Sequence, residues 1–197
     1  MTRSLPEALH RSIMTAAIAF LGLTLTGCVF FLLRPDAAAQ FVARFALSAE
    51  ERGLTDLSGG ELFLALLVNN VNASFLSCLL GLLPFVRLPA FSLGLNAVLL
   101  GAFAAYYQTS GLGLLPFLAG TLPHGVFELP GLVIACGAGL YLCRSVSDHL
   151  LGRENAPPFL AAARDCARVL ARLVFPLLLI AAAVEAFVTP AVLRLFV

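Results

Sequence analysis

The sequence predicts an all-α protein that crosses a membrane five times, with a broken or re-entrant segment before the fourth crossing. Three observations carry this. The chain is 60% hydrophobic and only 12% charged, with a mean hydropathy of +0.98, too apolar for a soluble domain. Uncharged runs long enough to cross ~30 Å of hydrocarbon at ~1.5 Å per residue recur along it, separated by segments that hold nearly all the charge. One of these runs is punctuated by Pro116, Pro123, Gly125 and Pro130, residues that interrupt helical hydrogen bonding.

The first run, about 12–33, follows Arg11. It is longer than the apolar region of a signal peptide, and Arg34-Pro35-Asp36 separates it from the small residues Ala37-Ala38-Ala39, so it reads as a retained span. In the polar stretch that follows, Pro35 and Asp36 suit a helix start. Phe41, Val42 and Phe45 recur at helical spacing opposite Arg44, which predicts a short helix, either on the membrane surface or packed as a loop helix.

The second span, about 62–83, carries Asn69, Asn70 and Asn72, and the third, about 90–108, carries Asn96. Asparagine in lipid requires a hydrogen-bonding partner, so these faces are expected to point at neighbouring helices. The fourth span, about 114–142, is expected to break near 123–125. Beyond the break, Gly131, Ala135 and Gly139 recur every four positions and suit close helix packing, including self-association. The last span, about 173–192, contains Pro176 and the acid Glu185.

Twelve arginines and eleven acids nearly cancel, and there is no lysine, so the distribution of charge is more informative than the net +1. With five spans and the N-terminus inside, Arg3, Arg11, Arg87, Arg144, Arg153, Arg164, Arg168 and Arg172 fall on the cytoplasmic side. Arg34, Arg44, Arg52 and Arg194 fall outside. Eight against four predicts an inner-membrane protein with its N-terminus inside and its C-terminus outside. Arg164, Arg168 and Arg172 share one helix face and read as the cytoplasmic anchor of the last span, so nothing basic is left over for nucleic acid. The five cysteines, at 28, 78, 136, 143 and 166, form no C-x-x-C pair and read as small buried side chains.

The chemistry concentrates in Leu122-Pro123-His124-Gly125-Val126-Phe127-Glu128-Leu129-Pro130. From Leu88 to Cys143 the only formal charge is Glu128 and the only histidine is His124. A lone carboxylate at mid-bilayer costs roughly 2.5–3.5 kcal/mol, so Glu128 is expected to face the bundle interior and to be neutral or partnered. On a helix the spacing of four puts His124 and Glu128 on one face.

Three readings of His124, Glu128 and Glu185 are open. In the first, they form a buried polar cluster with Asn69, Asn70, Asn72 and Asn96 that locks the bundle of a membrane scaffold. In the second, the ionisable residues beside a broken helix relay protons or bind an ion for transport. In the third, His124, Glu128 and Glu185 hold a metal in an intramembrane enzyme. There is no His-Glu-x-x-His motif, nucleophile elbow or phosphate-cradling loop, so no catalytic residue and no cofactor is assigned.

The Pro-His-Gly-x-x-Glu run at 123–128, the small-residue helix after it, the Asn69-Asn70 pair, the Asn96 helix and the closing Ala-Val-Glu-Ala-Phe-Val-Thr run at 183–189 resemble the stage II sporulation protein M family. The resemblance implies a multi-helix protein of the cytoplasmic membrane. For the sporulation members it implies a scaffold that partners cell-wall hydrolases during engulfment. It carries His124, Glu128 and Glu185 over as the family's polar positions. Membrane lipids, envelope proteins and further copies of the chain are the partners expected.

Overall fold

The structure, a computed structural model, describes residues 5–51, 53, 57–153 and 157–195. Arg3, Arg52 and Asn155 lie outside the described residues. Those described form helices joined by turns: α1 Glu7–Leu32, α2 Pro35–Glu51, α3 Gly59–Leu79, α4 Leu88–Thr109, α5 Leu114–Leu150, α6 Phe159–Val169, α7 Phe175–Phe187 and α8 Thr189–Leu193. A 3-10 turn, Leu80–Leu82, extends α3, and a π-helical turn, Leu170–Val174, joins α6 to α7. Five units are long and apolar enough to cross a membrane: α1, α3 with its 3-10 turn, α4, α5, and α6 through α7.

The helix α5 is the axis of the bundle. In its most apolar stretch 61% of residues are buried, against 17–33% in the other four spans. Small residues explain this centrality. A Cβ on Gly139 would come within 2.6 Å of the Ser77 carbonyl oxygen and 2.8 Å of Pro89 Cγ, and one on Gly137 within 2.6 Å of Ile13 Cα. The neighbouring chain segments therefore meet α5 at backbone distance, which is how helices associate where lipid supplies no hydrophobic drive. Between α1 and α4 the same device recurs at Gly101, where a Cβ would sit 2.6 Å from Cys28 N and from the Thr24 carbonyl oxygen.

The small residues of this helix pack closely within the chain, and one expectation about the helix is corrected. Gly131, Ala135 and Gly139 are all buried against the same chain, Gly131 under Leu178 and Gly139 under Ser77 and Pro89, so that face is occupied within the protomer. The expected break at Pro123 and Gly125 is absent, for α5 runs as one helix of 37 residues with Pro123 and Pro130 inside it. Each proline leaves one carbonyl without its usual donor, at Ala119 and Val126, yet the helix continues through both.

The last span shows the opposite behaviour. Its buried positions are Ala162, Cys166, Val169, Val174, Leu178, Ala181, Ala182 and Ala186; up to Ala181 they fall at steps of three or four, apart from one step of five between Val169 and Val174. That step coincides with the π turn, which accommodates one extra residue. Pro176 supplies the cause, because in a continuous α-helix its ring would meet the Arg172 carbonyl. One extra residue rotates everything downstream by about 100° relative to an unbroken α-helix. The face that would have carried Val184 therefore carries Glu185.

The helix α2 folds back on the bundle. Phe41 packs on Phe31 with ring centres 5.4 Å apart, Phe45 packs on Phe103 at 5.4 Å, and Ala38 is buried with Ala102 and Ala105. Arg44 stays exposed, as the helical spacing predicts.

Candidate functional site

His124 and Glu128 project from one face of α5 a single turn apart, and Glu185 joins them from α7. One ligand atom from each of the three lies within 4.8 Å of the others, and all three side chains are half-buried. Among the described residues no direct hydrogen bond or ion pair links the trio. An equilateral triangle of that edge has its centre about 2.8 Å from each corner, against roughly 2.0–2.2 Å for zinc–nitrogen and zinc–oxygen bonds. Small side-chain rotations would close the triangle on a divalent cation, and a proton or a water could equally be shared between the two carboxyls.

A fourth residue belongs to the site. Thr189 is buried, with its hydroxyl 3.5 Å from His124 Nδ1 and 3.3 Å from the Val184 carbonyl oxygen. When the hydroxyl donates to Val184 it accepts from Nδ1–H, and Nε2 then presents its lone pair. In that tautomer Nε2 is the nitrogen free to accept a proton or bind a cation. Pro190 makes it possible, since the missing N–H ends α7 at Phe187 and starts the short α8, turning Thr189 inward. The signal was present in the sequence: Thr189 lies four residues after Glu185, hence on the same helical face.

The site lies toward the end of the bundle where α7 gives way to α8. Glu185 is in the last turn of α7, and Leu193 of α8 covers Gly120 of α5. A Cβ on Gly120 would meet Leu193 Cδ2 at 3.3 Å, so this end of α5 is closely capped.

Three of the four asparagines are not buried, a correction to the cluster expected. Asn69, Asn72 and Asn96 are exposed on the bundle surface, and Asn70 is half-buried. Asn69 donates to Asn70 Oδ1 at 3.2 Å and Asn96 to the carbonyl oxygen of Ser92 at 3.0 Å. The polar partner on the α3–α4 side is instead a serine pair, Ser77 and Ser92, with hydroxyls 2.9 Å apart. Serine is short enough to sit between closely packed helices, where asparagine would need more room.

Fold and site together define the class: a polytopic α-helical membrane protein with a histidine and two acids gathered between its central helix and its last one. Residues 13–190 match the family model described as Stage II sporulation protein M, and the chain belongs to that family. No curated protein and no solved structure matches the chain.

Proposed function

We propose that this chain is a membrane scaffold that holds partner proteins of the cell envelope, those that remodel the cell wall among them, through the outward face of α3. The observation that carries this is the position of Asn69 and Asn72. Both are exposed near the middle of a span of which only 17% is buried in its most apolar stretch. Amide groups facing hydrocarbon lose their water partners, and a hydrogen-bonding side chain on another transmembrane helix replaces them. Leu64, Val68, Phe75 and Leu76 are exposed on the same helix and supply apolar contact around the amides. In this reading the protein lies in the cytoplasmic membrane with its N-terminus inside, and the trio and Thr189 tie α5, α7 and α8 into a rigid frame.

A photo-crosslinking residue at position 72 tests the scaffold in intact cells. A discrete adduct with another membrane protein, absent when the probe stands at Leu114 instead, is the result expected. Adducts with lipid alone, or equal adducts from both positions, would remove the reading.

A second reading has its own observation in its favour. The three convergent ligand atoms and the Thr189 contact to His124 make a divalent cation site, with the cation either clamping the frame or supporting ion-coupled transport. Metal analysis of the purified protein decides it: a stoichiometric metal lost in His124→Ala supports the cation, and its absence from the wild-type protein prepared without chelator refutes it.

A further inference from the structure

At the opposite end of the bundle from the trio, the starts of α1 and α4 and the end of α5 enclose a cleft of about 640 Å³. Among the described residues four arginines line it, Arg11, Arg87, Arg144 and Arg153, against a single acid, Asp148. We propose that this cleft binds an anionic phospholipid, its phosphate among the arginines and its acyl chain along α1.

Among the described residues, the positive charge at the mouth exceeds the acids that pair with it. Asp148 accepts from Arg153 at 2.7 Å and lies 3.5 Å from Arg144, while Arg11 pairs with Glu7 on the rim. Arg87 has no ion-pair partner among the described residues. Its backbone is in the left-handed region, φ 49°, as is that of Phe85, φ 69°, a conformation that costs a non-glycine residue energy. The turn is held from α5, where the Ser147 hydroxyl accepts from the Phe85 N–H at 3.0 Å. Arg87 is thereby fixed at the N-terminal end of α4, where the helix dipole adds further positive potential.

The shape matches a lipid as well as the charge does. On α1 the lining runs from Arg11 through Ala16 and Ala19 to Leu23. At ~1.5 Å per residue that is about 18 Å, comparable with one leaflet's share of a ~30 Å hydrocarbon core. Leu93 and Leu140 complete the deep end, so all three helices pass from cationic to apolar in the same direction. A soluble anion would occupy only the mouth. A phosphodiester carrying a chain fills both parts, and basic pockets between transmembrane helices are suited to such headgroups.

The test uses the full-length protein in a neutral detergent, titrated with short-chain phosphatidylglycerol, short-chain phosphatidylcholine or inorganic phosphate while the thermal unfolding midpoint is followed. Phosphatidylglycerol should raise the midpoint with an apparent Kd at least tenfold below that of either comparison ligand. Arg87→Gln and Arg153→Gln should each weaken it at least fivefold, and Arg34→Gln, at the far end of the bundle, should not. Because Arg87→Gln risks disturbing its turn, Ala19→Phe provides a second variant. It should abolish the advantage of phosphatidylglycerol over phosphate by filling the apolar trough. Equal response to phosphatidylcholine, equal response to phosphate, or full binding by Arg153→Gln and Ala19→Phe would each overturn the proposal.

Discussion

His124 Nδ1 lies 3.5 Å from the Thr189 hydroxyl, joining residues 65 positions apart in the chain across the α5–α8 contact. The same hydroxyl reaches the Val184 carbonyl oxygen, so one short side chain orients the imidazole and fastens the turn that follows α7. Thr189→Val keeps the shape and removes the hydroxyl. It is expected to cost about 1 kcal/mol, the usual net worth of one hydrogen bond, and Thr189→Ser to recover most of the loss. Unfolding midpoints of the two variants in one detergent check this.

Glu128 distinguishes a structural carboxyl from a reactive one. Within a structural frame Glu128→Gln keeps shape and hydrogen-bonding capacity and should fold and assemble as the wild type does. Glu128→Leu leaves His124 and Glu185 facing an apolar group and should lower the yield of monodisperse protein several-fold. Size-exclusion profiles of both variants give the answer, and equal loss of function in both with folding intact would point to proton or metal chemistry.

The π turn makes a prediction about chain length. Deleting Ala171 removes the extra residue and leaves Val174 through Glu185 in register with α5, so the variant should fold with only a modest loss of stability. Deleting Ala183 instead turns Glu185 about 100° off the site. That variant should lose the contribution of the trio, and paired unfolding measurements on the two deletions test the contrast.

Packing at α5 predicts an asymmetry among glycines. A side chain at Gly139 would collide with Ser77 and Pro89, so Gly139→Val should cost at least the ~1–3 kcal/mol typical of overpacking. Gly22 on α1 has nothing within 4 Å of its Cβ position, and Gly22→Ala should be neutral or stabilise by up to about 1 kcal/mol. Thermal melts of the pair suffice.

These contrasts also explain what could be read from the chain alone. The membrane-helical class was legible because uncharged runs and arginine-bearing connections report directly on the lipid environment. The pairing of His124 with Glu128 was legible from their spacing on one helix. Glu185 could be suspected as a second buried acid, but its approach depends on the extra residue at 170–174, a feature that periodicity over a short apolar run does not expose. Asn69, Asn72 and Asn96 were misread as buried because a polar residue in lipid announces a partner without saying whether that partner is in the same chain. Pro123 and Pro130 were misread because local propensity favours a break, whereas α5 continues through both. The arginine cleft could not be anticipated, since Arg11, Arg87, Arg144 and Arg153 meet only when three helix ends do.

The convergence of His124, Glu128 and Glu185 is tested most directly by a double-mutant cycle on Glu128→Gln and Glu185→Gln, read as unfolding free energy in a single detergent. Residues in one polar site are coupled, and the account predicts that the double variant departs from the sum of the singles by at least about 0.5 kcal/mol. Additivity within about 0.3 kcal/mol, the behaviour of residues far apart, would contradict it.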